Sequence, residues 1–251
     1  MCTLSWVRQL GGYTVFFNRD ERRTRSLGLP PTEQLRSGVR FLAPSDPDGG
    51  GSWVSVNDHR VALAILNQYQ AGKPAAQTSV SRGQLLLALA DLGSQAEVWT
   101  RVRAAGLMQY HPFTLAVFEP GLPALLLGWN GEALTDRALG QSGLLLTSSS
   151  VAQYEADQTR RMLFDETVAG GAIDETVLER LHRSHLPAEG PLSVCMHRAD
   201  AETVSYTRIS VTPSRVSLSY VAGAPCRGRS PDALTLHVAT SSAFQVPSSE
   251  F

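Results

Sequence analysis

Apolar and polar residues alternate with a period of two over the start of the chain. Thr3–Gln9 and Tyr13–Asn18 read as strands, with Gly11-Gly12 between them at a hairpin turn. A second hairpin is predicted from Ser52–Val56 and Arg60–Leu66 around Asn57-Asp58-His59. A third is predicted from Phe113–Phe118 and Ala124–Trp129 around Glu119-Pro120-Gly121. Elsewhere the period lengthens. Gln84–Leu92 and Gln95–Ala104 follow helical spacing, with Ser81 and Ser94 as N-caps, and so do Ala152–Val168 and Asp174–Ser184. Gly143–Thr147, Leu192–His197, Thr203–Ser210, Val216–Val221 and Leu234–Ala239 read as further strands, while the Pro30-Pro31 region and Pro44–Gly51 read as loops.

Strands and helices therefore come in alternating blocks, and several strand pairs are hairpins. This predicts an α+β fold of antiparallel sheets with segregated helices, in one domain over residues 1–251. Alternating βαβ units are not indicated, and no GxGxxG or GxxxxGK[ST] motif is present.

Composition narrows the function classes. With 43% hydrophobic and 18% charged residues and a formal charge of −1, nothing draws the chain toward nucleic acid or anionic lipid. The longest apolar runs, such as Leu85–Ala90 and Leu122–Leu127, are too short to span a bilayer. There is no secretory signal pattern, and the three cysteines form no CxxC pair, so a soluble cytoplasmic protein is expected.

The candidate chemistry begins at the second residue. Met1-Cys2-Thr3 carries a small residue after the initiator, which favours removal of Met1. Cys2 would then hold a thiol and a free α-amine on one residue, and these titrate at about pH 8.5 and about pH 8. Directly after the apolar run Val15-Phe16-Phe17 comes Asn18-Arg19-Asp20-Glu21. A solvated strand end is the plain reading of this cluster. In the functional reading, Arg19 lies beside Cys2 across the hairpin and favours its thiolate, and Asp20 orients the amine or the guanidinium.

The histidines say less. His197 ends a predicted strand and could bind substrate, metal or haem, or serve only as structure. His182 and His185 are spaced i, i+3 on a helix, but no HExxH motif and no carboxylate third ligand accompanies them, so no metal site is expected. Cys226 follows Pro225, the reverse of a Cys-Pro haem-ligand order. Trp53, Trp99 and Trp129 read as core or pocket-wall aromatics.

Met1-Cys2-Thr3 and Asn18-Arg19-Asp20-Glu21 together resemble the NRDE family, named for that tetrapeptide, which includes the transport and Golgi organisation protein 2 group. Gly51–Asn57, Ala64–Tyr69, Ser81-Arg82-Gly83 and Tyr110–Phe113 agree with it. The resemblance implies a four-layer αββα sandwich of the N-terminal nucleophile hydrolase type. It also brings in choloylglycine hydrolases and penicillin V acylases, which are cysteine amidohydrolases. Their pattern implies Cys2 as nucleophile with its own amine as base, supported by Arg19 and Asp20, although here those two are adjacent. It further implies Asn67 as an oxyanion-hole donor and Ser148 at a substrate-facing position; Asn18, Glu21 and His197 are further candidates for contact with a small-molecule substrate. Ser148 stands where those enzymes carry an amide. The same resemblance implies an alternative function, in which the fold carries haem or a lipid or acyl ligand. No cofactor is required in either case, and haem is a candidate ligand.

Overall fold

The computed structural model describes residues 2–68, 80–140, 143, 146–148, 153–169 and 173–238. Among residues named or spanned above, Met1, Tyr69, Leu144, Leu145, Ala152 and Ala239 lie outside that set. The chain runs β1 (Cys2–Gln9), β2 (Gly12–Arg22), β3 (Leu29–Arg36), β4 (Val39–Ser45), β5 (Val54–Asn57) and β6 (Ala62–Asn67). Two helices follow, α1 (Arg82–Leu89) and α2 (Gln95–Ala104), then β7 (Phe113–Phe118), β8 (Leu125–Trp129), β9 (Leu134–Ala138) and β10 (Leu146–Ser148). The last third holds α3 (Gln153–Val168), α4 (Glu175–Arg183), β11 (Ala201–Val211), β12 (Arg215–Ala222) and β13 (Asp232–His237).

The strands form two antiparallel sheets. One has the order β10-β1-β2-β11-β12-β13, and the other runs in chain order from β3 to β9. Strand alternation explains why each sheet is covered on both faces. From β1 and β2, Leu4, Trp6, Val15 and Phe17 enter the core between the sheets, where they meet Ala62, Ala64 and Leu66 of β6. Val7 and Phe16 point the other way, onto Leu163 and Phe164 of α3 and Leu178 and Leu181 of α4. Leu63 and Ile65 likewise leave the inter-sheet core to meet Leu85, Leu86 and Leu89 of α1 and Val98 and Val102 of α2. The layers are therefore helix, sheet, sheet, helix, as the αββα expectation requires. Each large apolar side chain buried this way contributes about 1.5–3 kcal/mol.

The caps fall where the sequence places them. Ser81, Ser94 and Asp174 accept from the backbone N–H groups of Gly83, Glu97 and Val177. At the β1–β2 turn, Gly11 takes a φ of +72°, which a side chain would oppose.

Two expectations change. The Pro30-Pro31 region is part of the edge strand β3, whose register against β4 shifts between Leu29 and Thr32. Proline lacks a ladder donor, and an edge strand with a bulge tolerates it. Leu192–His197 is no strand. Its backbone is engaged elsewhere: Cys195 N donates to Ser184 O, and Ser193 Oγ bonds to Gly190 O and Cys195 O. It meets β11 through an isolated bridge from His197 to Glu202 and through Met196, whose O and N bond to Thr203 N and Oγ1.

Candidate active site

The register of the first sheet aligns Ser148, Cys2, Arg19 and Ser205 across β10, β1, β2 and β11. Cys2 and Arg19 are direct cross-strand partners and share the face that carries Leu4 and Phe17. Arg19 is only 4% exposed. Its guanidinium carbon lies 4.4 Å from the centre of a Trp53 ring, and Nη2 reaches Asp46 at 3.2 Å and Glu21 at 3.5 Å. Its buried Nη1 has no hydrogen-bond partner among the described residues. Burying such a donor is costly unless something accepts from it.

Above this pair is a cavity of about 420 Å³, a size suited to a small molecule. Cys2, Arg19 and Trp53 share its lining with Asn67, at the end of β6 in the other sheet. One rim is ionic: Arg25 binds Glu21 at 2.9 Å and Asp46 at 2.8 Å, and Asp48 at 3.3 Å. The start of α1 from Ser81 to Gln84, and His111, also line the cavity. Two glycines permit that lining. A Cβ on Gly51 would stand 2.2 Å from the backbone carbon of Gly83, and one on Gly83 would stand 2.8 Å from Ser52 O. The close approach is fixed by Ser52 N donating to Gly83 O at 3.1 Å.

Burial pushes the Cys2 thiol above its ordinary pKa, and the Asp20 charge adds to this. The Arg19 charge and the Asp20 backbone N–H pull against it. The resting form is therefore the thiol, and a nucleophilic Cys2 needs a base at the moment of attack.

Alternation divides the Asn18–Glu21 tetrapeptide between two jobs. Arg19 and Glu21 serve the cavity. Asn18 faces the helices, where its Nδ2 donates to His182 O at 2.9 Å and Val194 O at 3.0 Å, and its Oδ1 meets His182 Nδ1 at 3.0 Å. Asn18 is thus a latch to α4 and is not among the cavity's lining residues. Asp20 also has its carboxylate on the helical side. Its Oδ1 accepts from Thr203 Oγ1 at 2.6 Å, and Oδ2 lies 3.9 Å from Arg160 Nη2 of α3. Asp20 contributes to the cavity lining while anchoring the strand beneath it.

Sequence reasoning misses Arg160 under the site and the buried place of His182 beside it. Arg160 is fully buried, with Nη1 donating to Thr3 Oγ1 at 2.6 Å and Nε to Leu192 O at 3.2 Å. The usable signal is helical phase. Arg160 shares the stripe of Ala156, Leu163 and Phe164, and His182 shares that of Leu178 and Leu181, so both occupy core positions. His182 Nε2 lies 2.8 Å from Ser5 Oγ, and burial next to the Arg160 charge lowers its pKa to about 3, so the ring is neutral.

Comparison with known proteins places this arrangement. The sequence profile of the Transport and Golgi organisation 2 family matches residues 1–185. The chain belongs to that family. A search of curated proteins gives no match. Among solved structures, this Transport and Golgi organisation 2 family chain is similar to a penicillin V acylase from Agrobacterium tumefaciens. The two share 9% identity at a TM-score of 0.58, over 94% of this chain and 86% of that one. It is also similar to a variant of the conjugated bile acid hydrolase from Clostridium perfringens, with 11% identity and a TM-score of 0.58 over 93% and 92%. At these identities the likeness establishes the fold, which is that of the N-terminal nucleophile hydrolases.

Within the family chain, the expected site residues sort by position. Cys2, Arg19, Asp20, Glu21 and Asn67 meet at one cavity. Ser148 is the strand partner of Cys2 by backbone register. His197 does not line the cavity; it lies beside Cys195 and Cys226 on a separate surface. His182 and His185 do not act as an i, i+3 pair, because His182 is buried under β2 while His185 lies beyond the end of α4. Trp53 forms a cavity wall, and Trp129 is core. No described helix is long and apolar enough to cross a membrane.

Proposed function

We propose that this Transport and Golgi organisation 2 family chain is a cysteine amidohydrolase acting on a small amide or acyl substrate. The observation that carries the reading is the Cys2–Arg19 cross-strand pair at the floor of a small polar cavity. After Met1 is removed, the Cys2 α-amine takes the thiol proton as Sγ attacks the substrate carbonyl. The Sγ–C bond forms and the oxyanion takes a hydrogen bond from Asn67. The amine then returns the proton to the departing nitrogen as the C–N bond breaks. Water cleaves the thioester by the same route, releasing the acid and restoring the thiol. Arg19 pulls the Cys2 thiol toward its thiolate against burial and the Asp20 charge, and its buried Nη1 is a donor for a polar substrate group. The fold neighbours are named as an acylase and a hydrolase, which agrees with this reaction class. Three free thiols agree with a reducing, cytoplasmic setting.

Intact-mass analysis with an electrophilic acyl probe tests the proposal. The expected result is loss of Met1 and one probe adduct on Cys2, absent in Cys2→Ala. Retention of Met1 on labelled, active protein would remove the self-base mechanism, and labelling that survives Cys2→Ala would remove the nucleophile.

The competing reading is carriage of haem or an acyl ligand. The ionic rim of Glu21, Arg25, Asp46 and Asp48 suits a polar substrate better than an apolar macrocycle. His197, outside the cavity, is not placed to share a ligand with Cys2. A Soret shift that saturates at one equivalent of haem and disappears in Cys2→Ala would favour carriage over hydrolysis.

A further inference from the structure

A second cluster of reactive side chains lies outside the cavity, where none of its members is a lining residue. His185 follows α4, Cys195 and His197 lie in the irregular segment 184–200, and Cys226 sits in the short turn after β12. Their donor atoms all lie within 4.8 Å of one another. His197 Nε2 is 3.6 Å from Cys195 Sγ and 3.4 Å from Cys226 Sγ, and the rings of His185 and His197 are 5.0 Å apart edge-on. In a tetrahedral zinc site, metal–sulfur bonds of about 2.3 Å and metal–nitrogen bonds of about 2.0–2.1 Å put sulfur and nitrogen donors about 3.5 Å apart.

We propose that His185, Cys195, His197 and Cys226 form a tetrahedral binding site for a divalent transition metal, with zinc the best match. Two further observations point to a ligand. His185 Nε2 is sealed from solvent and has no hydrogen-bond partner among the described residues. The other ring nitrogen of each histidine faces a carboxylate: His185 Nδ1 lies 3.9 Å from Glu189, and His197 Nδ1 lies 3.8 Å from Glu202. Glu202 is itself held by Arg227 at 2.8 Å and Arg23 at 3.0 Å. Metal-bound histidines are commonly oriented by such carboxylates, and a thiolate–imidazole donor set suits zinc. Zinc replaces the two thiol protons, which pass to solvent, and four protein ligands leave no open position. The site is therefore structural.

Such a metal staples segment 184–200, which lacks helix and strand. That segment supports the active-site strand from below: Val194 O accepts from Asn18, and Met196 N donates to Thr203 Oγ1, whose hydroxyl donates to Asp20. The metal thus helps position β2 beside Cys2.

Metal analysis of full-length protein, purified under reductant and dialysed against zinc-free buffer, tests this. About one equivalent of zinc is expected to remain, and a cobalt-substituted sample is expected to show the absorption of a tetrahedral thiolate site. Cys226→Ser, at an exposed position, abolishes stoichiometric retention, whereas Cys2→Ser keeps it. Glu202→Gln weakens retention by about 10-fold or more, and adding a chelator lowers the wild-type melting temperature but leaves that of Cys226→Ser unchanged. The proposal is overturned if wild type retains no more zinc than a Cys226→Ser/His197→Gln double variant. It is equally overturned if protein purified without reductant carries a Cys195–Cys226 disulfide and, once that disulfide is reduced, takes up no stoichiometric zinc. Neither result depends on catalysis by Cys2.

Discussion

Cys2 and Arg19 are direct partners in the β1–β2 ladder, and both side chains emerge on the face that meets the second sheet. The guanidinium favours the thiolate against the effect of burial. Replacing Arg19 by Gln removes that charge while leaving an amide in its place. The pH midpoint for alkylation of Cys2 is expected to move upward, with labelling at pH 7 slowed about tenfold. Arg19→Lys keeps the charge and holds the midpoint, but loses the flat contact with Trp53. Identical labelling profiles for wild type and Arg19→Gln would separate Arg19 from the chemistry of Cys2.

Arg160 is the counterpart beneath the strand. It is fully buried, bonds to Thr3 and Leu192, and is the cation nearest the buried Asp20 carboxylate in its ion pair. Arg160→Leu leaves that carboxylate buried without this cation and is expected to destabilise the fold by about 3–5 kcal/mol. Asp20→Asn in the same chain recovers part of the loss, because the stranded charge is gone. Urea unfolding reads both, and an Arg160→Leu midpoint equal to wild type would show that the pair carries no stability.

His182 makes the fold sensitive to acid. Its folded pKa of about 3 lies below the unfolded value of 6.5, so the unfolded chain binds the extra proton between those limits. Stability from this group is complete above pH 6.5 and is lost as pH falls toward 3. The loss amounts to about 2 kcal/mol by pH 5. His182→Gln lowers stability at neutral pH, since the bonds to Ser5 and Asn18 are disturbed, but it flattens the slope. Unfolding curves at pH 7 and pH 5 decide the point; equal slopes in the two proteins would show that His182 titrates normally in the folded state.

The legible parts of this molecule are those where local pattern suffices. A period of two with Gly11-Gly12 at its centre defines the first hairpin, and the hairpin alone brings Arg19 opposite Cys2. The same period, carried through the tetrapeptide, separates Asn18 and Asp20 from Arg19 and Glu21. Asn18 is engaged on the helical side, while Asp20 has its carboxylate there and still contributes to the cavity lining. The β3–β4 pair is hidden because Pro30-Pro31 resembles a loop, and only its place at a sheet edge makes a strand tolerable. Leu192–His197 has strand composition, but its backbone partners are scattered over Asn18, Arg160, Ser184 and Thr203, which no spacing reveals. Arg160 and His182 need knowledge of what their helices cover. The cluster of His185, Cys195, His197 and Cys226 depends on how the irregular segment 184–200 folds back on itself and where the turn after β12 meets it.

The cavity wall gives a backbone test of the site. Gly51 and Gly83 lie so close that a Cβ on Gly51 would be 2.2 Å from Gly83 C and 2.4 Å from Gln84 N. These are backbone atoms at the start of α1, so the clash cannot be relieved by a side-chain rotation. Gly51→Ala must push the 46–52 loop and the Ser81 cap apart, breaking the bond from Ser52 N to Gly83 O. The expected cost is about 1–3 kcal/mol, typical of overpacking. The separation also carries Asp46 away from Arg19, which it holds at 3.2 Å. Labelling of Cys2 should therefore change together with stability. Gly38→Ala is the control: Gly38 has a positive φ of 82°, but a Cβ there would meet nothing within 4 Å. Backbone strain alone should lower its stability without altering Cys2 labelling. If Gly51→Ala labels Cys2 at the wild-type rate, the loop–helix contact does not shape the site.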